Sequence, residues 1–189
     1  MDVIKVRFCR WVATLAMIGC AWGVEVEAKS FAQRVAVAQA GDAVAVWSTN
    51  MGTYNCVQAA TMSPSGVWSA PVTLCSLTES CSYPLVVVDG SGNYIALWSY
   101  FDTGFGTQAL HASVYPVGGP TWGAPVRITT NMESVADFED ALENAAYQLT
   151  INSAGQAVAA WASYMGTDLD IRASNYSSGV WATPTTLSP

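Results

Sequence analysis

The sequence predicts an all-β fold of three four-stranded antiparallel meander repeats, each a blade of a β-propeller whose ring is incomplete. Three observations predict it. A turn glycine followed six residues later by a tryptophan is written three times, as Gly41 and Trp47, Gly92 and Trp98, Gly155 and Trp161, and self-similarity at a period of this size marks a repeat architecture. Each copy closes on a second tryptophan, a small residue, a proline and a β-branched run: Trp68 with Ala70-Pro71-Val72-Thr73-Leu74, Trp122 with Ala124-Pro125-Val126-Arg127-Ile128, Trp181 with Thr183-Pro184-Thr185-Thr186-Leu187. The segments between are of strand length, rich in Val, Ile, Ala, Thr and Trp, and bounded by Gly, Asn, Ser and Pro clusters.

Residues 1–28 are set apart as an export signal. Lys5, Arg7 and Arg10 precede an apolar stretch, Trp11 to Val24, which is short of the roughly 20 residues of a membrane span. Cleavage is expected after Gly23 or Ala28; the alternative is a lipoprotein signal ending at Cys20, in Met17-Ile18-Gly19-Cys20. Loss of residues 1–23 leaves four basic residues against 13 acidic ones. That balance argues against nucleic acid or an anionic membrane as partner.

The repeat domain is expected over 31–189. Its first copy, about 31–78, reads as strands near 34–39, 43–48, 55–61 and 69–74, with turns at Ala40-Gly41-Asp42, Asn50-Met51-Gly52 and Pro64-Ser65-Gly66. The second strands, Ala43-Val44-Ala45-Val46-Trp47, Tyr94-Ile95-Ala96-Leu97-Trp98 and Ala157-Val158-Ala159-Ala160-Trp161, are apolar at both parities. A sheet with one wet face alternates, so both faces of these sheets are expected to be covered, as in propeller blades. Trp47, Trp98 and Trp161 therefore read as core, and hairpin packing is preferred over ligand stacking for Trp68, Trp122 and Trp181.

Three cysteines follow the signal. A hairpin about Pro64-Ser65-Gly66-Val67 sets Cys56 opposite Cys75, within reach of a disulfide; Cys75 with Cys81 competes, and so do three buried thiols. The second copy, about 82–130, and the third, about 145–189, are separated by an acidic insertion at 131–144. Ser134 with Asp137 approximates a capping box, and Val135, Phe138 and Leu142 share a helical face, so a short helix is expected there.

The hairpins Ser63-Pro64-Ser65-Gly66-Val67-Trp68 and Gly118-Gly119-Pro120-Thr121-Trp122 resemble the Asp-box hairpin of sialidase-like propellers, Ser-x-Asp-x-Gly-x-Thr-Trp, and the chain resembles secreted bacterial repeat proteins of that superfamily. The resemblance implies a propeller over all three copies. A sialidase would need three arginines around a carboxylate, a Tyr–Glu nucleophile pair and an acidic donor; Arg34, Arg127 and Arg172 match only in number, on first, fourth and third strands, and the Arg-Ile-Pro motif of the family is absent.

Other chemistry has thin support. His111 is the only histidine, and Cys-x-x-Cys and Gly-x-Ser-x-Gly are absent, which removes the usual zinc and nucleophile-elbow signatures. Asp137, Glu139, Asp140 and Glu143, or Asp168 with Asp170, offer carboxylates for calcium without its loop spacing, so no cofactor is expected. Three blades leave two faces uncovered, which a homodimer of six blades, a longer reading frame or an irregular sandwich would resolve. The expectation is an exported, non-catalytic binding or assembly module for a protein or glycan surface. A partial sialidase-like glycoside hydrolase and a structural envelope lipoprotein are the alternatives.

Overall fold

The computed structural model describes residues 30–76, 80–136 and 146–188; the signal segment lies outside them. Strands β1 (Ser30–Val37), β2 (Ala43–Asn50), β3 (Asn55–Met62) and β4 (Val72–Thr73) form one antiparallel sheet in that order. A second sheet repeats it with β5 (Cys81–Val88), β6 (Tyr94–Asp102), β7 (Thr107–Tyr115) and β8 (Val126–Arg127). In the third, β10 (Tyr147–Ile151), β11 (Ala157–Met165), β12 (Asp168–Ser177) and β13 (Val180–Trp181) follow the same path, β9 (Ser134–Val135) pairs with β11, and β14 (Thr185–Thr186) pairs with β12. No helix occurs among the described residues.

The repeat glycine has a backbone cause. Gly41, Gly92 and Gly155 sit at φ of 90°, 90° and 80°, where a Cβ is strained. Each donates its N–H to the residue three before it, Ala38, Asp89 or Asn152, closing the turn between first and second strands. Asp89 and Asn152 reinforce their turns through side-chain oxygens, each accepting two downstream backbone N–H groups at 2.8–3.0 Å. Fourth strands are short, and Pro71, Pro125 and Pro184, which lack the N–H a ladder needs, stand just before β4, β8 and β14.

The insertion begins as a strand, and the rest of the helix expected over it lies outside the described residues. Ser134 and Val135 are a strand, in register with Tyr164 and Ser163; residues 137–145 lie outside the described set. Packing decides this locally, because Val135 is buried in the core and the Ser134 hydroxyl accepts the Gln108 N–H at 3.1 Å. A capping-box pattern carries no information about such tertiary contacts.

Two apolar clusters hold the sheets together. The first joins Val44, Val46, Val57, Ala59 and Leu74 of the first sheet to Tyr94, Ala96, Trp98 and Tyr100 of the second. The other joins Ile95, Leu97, Leu110, Ala112 and Ile128 of the second to Tyr147, Ala157, Ala159 and Trp161 of the third. Alternate residues of β6 thus enter opposite clusters, since successive strand side chains point to opposite faces. This is why its sequence is apolar throughout.

Candidate functional site

The two clusters define two kinds of sheet face. On one face lie the second-strand tryptophan and the first-strand residues paired beside it: Trp98 with Val86 and Val88 packs toward the first sheet, and Trp161 with Leu149 and Ile151 packs toward the second. The corresponding face of the first sheet carries Trp47, Val35 and Val37, and no described sheet covers it. Trp98 and Trp161 are buried, Trp47 is only half-buried, and Val35 and Val37 are 58% and 61% exposed. Among the closing tryptophans, Trp122 and Trp181 pack against the first and second cluster, while Trp68 belongs to neither and is largely exposed.

The opposite face is marked by one repeated hydrogen bond. The N–H groups of Leu74, Ile128 and Leu187 donate to the carbonyls of Val57, Leu110 and Ile171 at 2.9, 2.9 and 2.7 Å, which makes these positions equivalent. In the first two sheets all four side chains are buried; in the third, Ile171 is 44% and Leu187 62% exposed. Val158, equivalent to buried Val44 and Ile95, is exposed beside them. The described structure therefore ends in two unlike apolar faces, each the counterpart of one that is covered inside it.

Between the first and second sheets, near the turns, runs a groove of about 490 Å³ lined by Asp42, Val44, Pro64, Trp68, Tyr94 and Tyr115. It adjoins a smaller one of about 300 Å³ that Trp122 and Tyr115 share. The Tyr94 hydroxyl donates to the Asp42 carboxylate at 2.8 Å, and burial together with that carboxylate raises the phenol above its ordinary range. Tyr94 is itself buried, whereas Trp68 is exposed and Tyr115 half-buried.

The charged residues sit in separate places. Arg127 binds Asp102 at 2.5 Å and the carbonyls of Thr129 and Thr130, and its guanidinium lies over the Tyr100 and Phe105 rings at 5.8 and 5.7 Å. Asp102 is held below the usual carboxylate range, because hydrogen bonds led by Arg127 outweigh the opposing effect of burial. His111 stacks on Tyr100, ring centroids 3.8 Å apart, and burial with the Arg127 charge pushes it down to about 4. The ring is therefore neutral near pH 7.

Arg172 instead lies 3.4 Å from Glu133, a fully buried carboxylate that also accepts from Trp161 Nε1 at 3.1 Å and the Ser163 hydroxyl at 3.0 Å. Arg34 is exposed and donates to its neighbour's carbonyl, that of Gln33. The three arginines thus engage three different sets of partners. Glu133 had no motif to announce it in the sequence; only the fold brings it under Trp161. Asp168 and Asp170 begin β12, and among the described residues no group of three His, Cys, Asp or Glu is placed to hold a metal ion; the carboxylates of 137–143 lie outside the description. No helix among the described residues is long and apolar enough to cross a membrane.

Cys56, Cys75 and Cys81 are thiols, with no disulfide among them. The first two are neighbours, as their register requires. Cys75 is hydrogen-bonded to both Cys56 and Cys81.

No protein-family model matches the sequence, and no curated protein matches it. Solved structures do share its fold. A polysaccharide lyase, Uly1, superposes with a TM-score of 0.56 at 10% identity, over 82% of this chain and 40% of that one. An endo-arabinase from Bacteroides thetaiotaomicron VPI-5482 superposes at 0.50 with 16% identity, over 82% of this chain and 61% of that one. The chain thus spans less than two thirds of either enzyme. Its fold is all-β and resembles that of glycan-active enzymes.

Proposed function

We propose that this protein is an exported, non-catalytic assembly and binding module of propeller type, in which two chains complete a six-bladed ring. One observation carries the reading: the face bearing Trp47, Val35 and Val37 and the face bearing Val158, Ile171 and Leu187 are the two halves of an interface that the chain already makes twice internally. A second copy supplies both missing halves at once. A two-fold arrangement closes the ring, and such an interface is apolar like a core cut in half.

Substitution on either face tests this. Ile171→Asp alone, or Trp47→Asp alone, is expected to convert the assembly to single chains in sedimentation velocity. Unchanged sedimentation of both variants contradicts the reading.

The groove between the first two sheets supports glycan as the ligand class of the module, through the exposed Trp68 ring, the half-buried Tyr115 and the Asp42 carboxylate. The likeness to a polysaccharide lyase and an endo-arabinase points the same way. Binding on a glycan array without turnover of glycosides or polyuronides is the expected outcome. Turnover that disappears on changing Arg127 or Arg172 favours the glycoside-hydrolase reading instead.

A further inference from the structure

In each sheet, the third-strand residue that accepts the repeated hydrogen bond also donates its own N–H to a side chain one position beyond the fourth strand's apolar residue. Leu110 N–H donates to Thr129 Oγ1 at 3.3 Å and Ile171 N–H to Ser188 Oγ at 2.8 Å. In the first sheet the donor is Val57 and the acceptor is Cys75 Sγ, at 3.2 Å. A sulfur therefore stands where the repeat elsewhere uses a hydroxyl. Two further thiols meet that sulfur, Cys56 from the same sheet and Cys81 from the first strand of the next sheet, each hydrogen-bonded to it. Cys56 and Cys81 are buried, while Cys75 is partly exposed.

We propose that Cys75 is the attacking thiol of a thiol–disulfide exchange site whose product is a Cys75–Cys81 disulfide, stapling the first sheet to the second. Hydrogen bonds from the Cys81 thiol above all, then the Val57 N–H and the Cys56 thiol, outweigh burial and lower Cys75 to about 6. Burial raises Cys56 to about 11. Cys75 is thus the thiolate of the cluster and the least buried of its three cysteines; the thiolate is the nucleophile in such exchange.

The co-reactant is a low-molecular-weight disulfide, RSSR. The Cys75 thiolate attacks one of its sulfurs, forming Cys75–S–SR and releasing RS⁻. Cys81 gives its proton to that RS⁻, attacks the Cys75 sulfur and expels the second RS⁻. Two electrons pass from the protein pair to RSSR, which leaves as one thiol and one thiolate. Cys56 stays a thiol.

The test uses the full protein, reduced, freed of reductant, exposed to oxidised glutathione, quenched in acid, alkylated and peptide-mapped. A Cys75–Cys81 link with Cys56 alkylated is expected. A link involving Cys56, a glutathione adduct that persists on Cys75, or no oxidation overturns the proposal. Cys75→Ser keeps the oxygen acceptor that the other two sheets use, so it is expected to fold, and disulfide formation should fall by more than about tenfold. Linkage of Cys56 to Cys81 in that variant at the original rate also overturns it. As a second readout, the iodoacetamide rate at Cys75 should reach half its maximum near pH 6; a midpoint near that of an ordinary thiol contradicts the assignment of Cys75 as nucleophile.

Discussion

Asp89 shows how much a single repeated position carries. Its carboxylate accepts the N–H groups of Ser91 and Asn93 and the Asn93 side-chain amide, at 2.7–2.9 Å. Burial pushes its pKa up, but these bonds outweigh it and hold the group below the usual carboxylate range. The contribution to stability is therefore present above the unfolded-state value and is lost as pH falls through the folded one. Asp89→Ala should cost about 1–2 kcal/mol. Asp89→Asn should cost less and remove the acid dependence, since Asn152 fills the same role in the third sheet. Urea melts between neutral and acid pH check both. The spacing of glycine and tryptophan made these turns legible in the sequence, because a left-handed turn position leaves a glycine behind. The acceptor shared by Cys75, Thr129 and Ser188 was not legible: three different side chains do one job, and only the third-strand N–H they receive reveals it.

Single elements were legible where periodicity alone decides them and obscure where a neighbour does. The second strands read as two-faced because every residue from Tyr94 to Trp98 is apolar, and both faces of β6 are indeed packed. Ser134 and Val135 could not be told from a helix start, since what makes them a strand is the edge of β11 and the core behind Val135. The same insertion supplies Glu133, which holds Trp161, Ser163 and Arg172 around one carboxylate. Removing it leaves Arg172 buried without its counter-charge. Glu133→Ala is expected to destabilise by about 3–5 kcal/mol in denaturant titration, and Glu133→Gln by less, because a buried ion pair broken on one side leaves an uncompensated charge. Equal effects of the two variants would argue that the residue acts through packing alone.

Across the whole molecule, one rule relates the three sheets: the tryptophan face of each packs on the opposite face of the sheet before it. The rule is satisfied at two junctions and leaves Trp47 at one end and Ile171 with Leu187 at the other. The sequence could announce three equivalent copies, but exposure separates them, and equivalence of sequence cannot show which copy stands at an end. The charge balance and the aromatic groove then bear on what the proposed ring would meet, whereas the two open faces bear on what would complete it. The most direct measurement is the mass of the reduced, purified protein in solution by light scattering across a dilution series. The account predicts two chains per particle at all but the lowest concentrations. A particle of one chain throughout, with its Trp47 and Ile171 faces open to water, would contradict it.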